Sequence, residues 1–275
     1  MRKKFDEELR HLNNLLLEMA MLIENAIKKS IVLLDEKDKE LADEVINYEQ
    51  RIDIYEEIIQ KHCLKLFVEQ QPAAGDLRRI SSALKMITDM ERIGDNSRDI
   101  AEICMILPDD YDTNRFPIIK DMADATIRLV NNSIDSFVNM DIEAAEKIDK
   151  EDDVVDNYFV MIRDELIDII KSDFDPAAAI DFIMIAKYLE RIADHAVNIA
   201  QWVIFSIKGW LDANICCRRW HIYTKANWIF IKKQGLRCKM LWKWKWLFLW
   251  TWCKGARHSA SWHNAARYWW YWNTK

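Results

Sequence analysis

Two short stretches carry acidic residues at a spacing that could do chemistry. Glu91 to Glu102 reads ERIGDNSRDIAE, and ninety-nine residues later Glu190 to Gln201 reads ERIADHAVNIAQ. Glu91 matches Glu190, Arg92 matches Arg191, Asp95 matches Asp194, and Ile100-Ala101 matches Ile199-Ala200. Each lies in a segment with apolar residues at helical spacing, so Glu and Asp at i and i+4 share one helix face. Like charges so placed cost an isolated helix a few tenths of a kcal/mol. Repetition of that arrangement points to a cation over the face.

A second pair precedes each stretch. Glu49 and Asp53 are i, i+4 in NYEQRIDIY, and Asp152 and Asp156 are i, i+4 in KEDDVVDNY. The upstream and downstream pairs are 42 residues apart in the first copy and 38 in the second. That is about one antiparallel helix hairpin, so each copy brings four carboxylates toward one patch: Glu49, Asp53, Glu91 and Asp95, then Asp152, Asp156, Glu190 and Asp194. An oxygen-only donor set favours hard cations such as Mg²⁺, Mn²⁺, Ca²⁺ or iron. The plainer account of any one pair is a solvated helix face, and the matched duplication weighs against it. His195 adjoins Asp194 but points about 100° away on a helix, which suits a hydrogen-bonded or surface residue better than a ligand. Arg92 and Arg191 turn away from the acid face as well, and are expected in interhelical ion pairs or partner contacts.

The elements that must position these residues are helices. Residues 1–209 are broken by Pro72, Pro108, Pro117 and Pro176, with Gly75 at one break, and only Gly94 sits inside a periodic segment. No alternating β-branched run competes. The pattern predicts six long helices, roughly 4–35, 38–69, 75–106, 117–140, 142–172 and 177–207. The halves are repeats at an offset of 103, pairing Met19 with Met122, Ser30 with Ser133, Asp38 with Asp141 and Ala42 with Ala145. The offset falls to 99 in the third helix of each copy, because the second copy has a shorter turn. The expected fold is all-α, two tandem, pseudo-repeated three-helix bundles. The first spans 1–106, a linker 107–116, and the second 117–209.

Composition divides the chain near Gly209. Residues 1–209 hold 26 Lys+Arg against 44 Asp+Glu, whereas 210–275 hold 13 against one acid, Asp212, and twelve of the 13 Trp. An acidic body argues against nucleic acid as partner. MRKKFDEELRHL lacks the apolar core of a signal peptide, no run of about 18 apolar residues suggests a spanning helix, and Cys63 and Cys104 show no framework spacing. A cytoplasmic protein is expected. No Glu-x-x-His pair of the di-iron bundles, and no Ser/His/Asp or Cys/His constellation, occurs in the body, so no catalysis is expected. Residues 210–275 admit three readings. They form a basic-aromatic interfacial anchor, or a stacking surface for single-stranded nucleic acid, or an aberrant, frameshifted or disordered end. The last is favoured: Trp has the single codon TGG, and Trp-Lys-Trp-Lys-Trp, one base later, reads Gly-Asn/Ser-Gly-Asn/Ser-Gly. It predicts that this segment contributes nothing to fold or function.

The duplicated E(D)xxxD pattern, Glu91/Asp95 and Glu190/Asp194 with Glu49/Asp53 and Asp152/Asp156 beside it, resembles the PhoU family. So do QPAAGDLRRI, 71–80, and ERIADHAVNIAQWVIFSIKG, 190–209. The resemblance covers about residues 1–209. It implies an all-α cytoplasmic protein, often a homodimer, with peripheral association at the inner face of the membrane. It implies multinuclear clusters of iron, or of Mn, Mg or Zn, on the bundles. The implied partners are a phosphate-sensing histidine kinase and the ATPase of the phosphate ABC transporter, both restrained when phosphate is plentiful. The alternative is a structural or accessory bundle that regulates a different phosphate permease without a bound cluster. Asn96 and Arg98-Asp99 depart from the family's His-Ala-Val-Asn run, so the first site is expected to hold metal less well than the second.

Overall fold

A computed structural model describes residues 2–70, 72, 74–107, 117–170 and 175–209. Apart from Leu107, the expected linker 107–116 lies outside the described residues, as does 210–275. Six helices follow in order: α1 Arg2–Val32, α2 Lys39–Gln70, α3 Ala74–Ile106, α4 Pro117–Asn139, α5 Ile142–Ile170 and α6 Pro176–Lys208. None of them is long and apolar enough to cross a membrane.

The helix ends follow from the residues that bound them. The matched Asp38 and Asp141 cap α2 and α5: Asp38 Oδ1 accepts from Glu40 N at 2.8 Å and Asp141 Oδ1 from Ala144 N at 3.0 Å. Their side chains satisfy amides that a helix start leaves without intrahelical partners. Asp175 caps α6 by accepting from Ala177 N at 3.0 Å, with Pro176 at the first helical position. Proline suits that place because its φ is fixed near the helical value and its missing N–H costs nothing there. Gly209 ends α6 with φ 81°, its N–H donating to Phe205 O at 2.9 Å, a left-handed stop that glycine adopts without steric cost.

Helices α1, α2 and α3 pack together, as do α4, α5 and α6, giving two three-helix bundles. The bundles dock through equivalent elements, α3 on α6 and α1 on α4, so the six helices form one compact unit. Apolar stripes meet inside: Leu12, Leu16, Met19, Ile23 and Ile27 of α1, and Met122, Ile134 and Phe137 of α4, are all at most 1% exposed. Burial on this scale contributes about 1.5–3 kcal/mol per large side chain. It is what holds helices whose outer faces are so heavily charged.

One contact fixes how closely α2 approaches α3. Gly94 stands over Ile52, and a Cβ added there would meet Ile52 Cδ1 at 3.0 Å. The equivalent positions in the second copy hold Ala193 and Val155, both fully buried. A methyl has moved from one partner to the other, which conserves volume. Ala at position 94 would gain about 1 kcal/mol of helix propensity, but it crowds Ile52. Gly94→Ala with Ile52→Val is therefore expected to melt above Gly94→Ala alone by thermal denaturation. Equal midpoints would show that the approach is not set by this pair.

Candidate functional site

In the first copy the charged side chains line the α2–α3 seam. Along α3, Glu91, Asp95, Arg98 and Glu102 recur at steps of 4, 3 and 4 and so share a face. Glu49, Asp53 and Glu56 do the same along α2, and the pattern sets the two acidic rows against each other. Glu49 is only 6% exposed. Burial raises its pKa, Arg98 opposes that rise, and the Asp53, Asp95 and Glu102 carboxylates add to it. Asp53 is raised by burial and then by Asp95. Glu91 is pushed up to about 7, by burial first and by Asp95 second.

The second copy repeats this along α5 and α6. Burial, with Asp156, Asp194, Asp149 and Asp153 nearby, pushes Asp152 up to about 8. Asp156 reaches about 6, through burial and the Glu190 and Asp194 charges, with Lys187 pulling the other way. Lys187 Nζ donates to Glu190 and also sits 5.3 Å from the Phe159 ring. The charges of Glu49, Asp53, Glu91 and Asp95 thus act on one another across α2 and α3, and those of Asp152, Asp156, Glu190 and Asp194 across α5 and α6.

The arginines behave otherwise than expected. Arg92 does not turn away from the acid face. Its Nη1 donates to Asp95 Oδ2 at 2.8 Å, and its Nε lies 3.3 Å from Glu91 Oε2. The long side chain folds back over one turn, as an i, i+3 pair allows, so Arg92 is a counter-ion of the pair beside it. Arg191 stacks instead over Tyr188, 5.7 Å from the ring centre. Arg98 crosses from α3 to α2, donating from Nη1 to Glu49 Oε1 at 2.5 Å.

His195 faces the other way, into the α3–α6 seam. Its Nδ1 lies 2.8 Å from Asp89 Oδ1, and Asn198 Nδ2 donates to the same oxygen at 2.8 Å. At the pseudo-equivalent place burial, and then the nearby Asp99 carboxylate of α3, raise the pKa of the Tyr188 phenol of α6. Asp89 matches Tyr188 and Asp99 matches Asn198 across the repeat, so the two polar places of this seam carry swapped chemistry. Sequence reasoning missed Asp89, Lys187 and the Tyr188–Asp99 pair. It also missed Arg98 as a partner of the acids, although its place seven residues after Glu91, on the same face, is a signal that could have found it. Nothing in the sequence joins Asp89 to residues over a hundred positions away.

The donors fit a hard cation by chemistry: all oxygen, clustered and desolvated enough to hold protons that a cation would displace. Among the described residues, however, no three His, Cys, Asp or Glu side chains stand close enough to hold an ion as they are. Binding would require carboxylate rotamers to close.

Two pseudo-repeated three-helix bundles, each with an acidic patch on the seam between its second and third helices, define the class of protein. The model of the family described as "PhoU domain" matches twice, over residues 16–104 and 119–203. The chain is 31% identical over 210 residues to the "Phosphate-specific transport system accessory protein PhoU homolog" of Clostridium acetobutylicum, covering 76% of this chain and 96% of that protein. The crystal structure of PhoU from Pseudomonas aeruginosa superposes with a TM-score of 0.67 at 29% identity, covering 75% of this chain and 100% of that one. The phosphate transport system regulatory protein PhoU from Streptococcus pneumoniae gives 0.70 at 25%, covering 76% and 99%. The chain belongs to the PhoU family.

Proposed function

We propose that this chain is a non-catalytic accessory regulator of a phosphate-transport system. In this reading it restrains uptake and phosphate-starvation signalling through the phosphate ABC transporter's ATPase and a phosphate-sensing histidine kinase. The observation that carries it is the family match over both repeats, together with the phosphate-transport names of the relatives. The carboxylate patches hold hard cations, the second more tightly. A divalent cation there would neutralise Asp152, Asp156, Glu190 and Asp194 and tie α5 to α6. The regulator works in the cytoplasm as a homodimer. Two buried thiols, Cys63 and Cys104, both pushed up to about 12 by burial, suit a reducing compartment.

The test is a deletion strain carrying a reporter of phosphate-starvation genes. Without the chain the reporter is expected to stay on at high phosphate, and the restored full chain should silence it. Normal repression in the deletion strain would count against the reading. A second reading is favoured by one observation, the lack of three converging ligands among the described residues: a bundle that regulates a different phosphate permease without bound metal. Affinity capture from cells containing both transporters separates the two, by which permease is retained.

A further inference from the structure

We propose that the strip between α5 and α6 is a docking groove for a basic amphipathic helix of a partner protein. Its apolar side chains sit over the end where α5 stops and α6 starts, and its Lys or Arg over the carboxylate end. The surface goes beyond the regulator reading above and needs no bound metal.

The face that carries the carboxylates runs on past them. On α5, Asp152, Asp156, Val160, Arg163, Ile167 and Ile170 recur at steps of 4, 4, 3, 4 and 3, so they keep to one side of the helix. On α6, Ile180, Lys187, Glu190 and Asp194 do the same at steps of 7, 3 and 4. Asp194 acts on Asp152 and Glu190 on Asp156, and Lys187 Nζ lies 5.3 Å from the Phe159 ring centre. Continued along the hairpin, this antiparallel register sets Ile167 abreast of Ile180. The strip is therefore acidic at one end and apolar at the other. Val160, Ile167, Ile170, Ile180 and Met184 are 38–60% exposed, while Phe159 and Ile183 are partly buried against the core.

Single exposed apolar residues need no explanation, but neighbours along one groove mark a contact surface. The repeat supplies an internal comparison. In the first copy Glu57 stands for Val160, Ser81 for Ile180 and Lys85 for Met184, so polar residues break the run there, although Leu64 keeps the place of Ile167. Charge selects the occupant. Arg163 and Lys187 on the strip already answer Asp164 and Glu190, and the four seam carboxylates leave the strip acidic. A second copy would bring the same acidic body, with 26 Lys+Arg against 44 Asp+Glu over residues 1–209. An anionic lipid surface would likewise meet like charge. A helix with apolar residues at i, i+3, i+4 and i+7 and Lys or Arg beyond them suits both ends. About 18 residues suffice, since at ~1.5 Å per residue they match the run of α5 from Asp152 to Ile170.

The experiment is an anisotropy titration of the full chain, in chelator, into a labelled synthetic helix of about 18 residues with Leu along one face and Lys at one end. The same helix with Glu in place of Lys is the control. The Lys helix should bind at least about tenfold more tightly than the Glu helix, with a preference that shrinks as salt is added. Ile180→Ser with Met184→Lys, the residues of the first copy, should weaken it by at least about tenfold. Ile167→Ser is the second apolar variant, and circular dichroism reads the helix content of each. Val154→Ser, exposed two residues before Asp156 and so on the opposite side of α5, should bind as wild type. Equal affinity for the two helices, unchanged binding in folded apolar variants, or an equal loss in Val154→Ser would overturn the proposal. In cells, a photoreactive benzoylphenylalanine at position 180 should cross-link to a helical segment of another protein flanked by Lys or Arg. Cross-links to a second copy, to phospholipid or to nothing would overturn the choice of occupant. Neither arm depends on bound metal or on the starvation reporter, so its failure is distinct from failure of the regulator reading.

Discussion

Asp152→Asn is expected to raise the thermal midpoint of the chelator-treated protein at pH 8 and to weaken its pH dependence between pH 5.5 and 8.5, leaving the part that Glu91 and Asp156 supply. Asp152 is pushed up to about 8 and Asp156 to about 6 in the folded chain. Both return to about 3.9 when unfolded. Between these values the folded state binds more protons than the unfolded one, so stability falls as pH rises. The contribution is fully present below about pH 4 and is lost through about pH 6 to 8. Its size is on the order of 1–3 kcal/mol after discounting for the coupling of the two groups, or several degrees in a domain of this length. Saturating Mn²⁺ at pH 8 should restore the midpoint in wild type and not in Asp152→Asn. A wild-type midpoint that rises from pH 5.5 to 8.5 in chelator would contradict the account.

The second large effect lies in the α3–α6 seam. Asp89→Ala should cost about 2–3 kcal/mol, because it leaves two half-buried or buried polar groups, on His195 and Asn198, without their shared acceptor. Asp89→Asn retains one acceptor oxygen and should cost about half as much. In a denaturant double-mutant cycle, Asn198→Ala should cost clearly less in the Asp89→Ala background than alone, with a coupling of about 1 kcal/mol. Simple additivity would show that the bond does not join the bundles. Because Asp89 lies two residues before Glu91, and His195 beside Asp194, this contact also places the two patches relative to each other.

How much of this was legible can be judged residue by residue. Proline at 117 and 176 marked breaks in the periodic pattern and helices begin there, whereas the caps formed by Asp38, Asp141 and Asp175 and the stop at Gly209 were read from the structure, although each acts through local backbone geometry. The i, i+4 carboxylate pairs and their duplication were legible because spacing and repetition are one-dimensional facts. The direction taken by Arg92 was misjudged because helix angle fixes where a Cβ points, not where a long flexible side chain ends. Asp89 was invisible for a different reason. Its partners come from the other bundle, and in the repeat its place is taken by Tyr188, so neither spacing nor internal comparison reveals an acid–histidine contact. The exchange of Gly94/Ile52 for Ala193/Val155 could have been read from the aligned repeats, though only the structure shows that the two positions touch.

The central claim is that the carboxylate patches bind a hard cation, the second in preference to the first. Elemental analysis of the gently purified full chain tests it, set beside Asp194→Ala and Asp95→Ala purified in the same way. The account predicts bound metal in wild type, most of it lost from Asp194→Ala and most of it kept by Asp95→Ala. Metal content unchanged in both variants would contradict it.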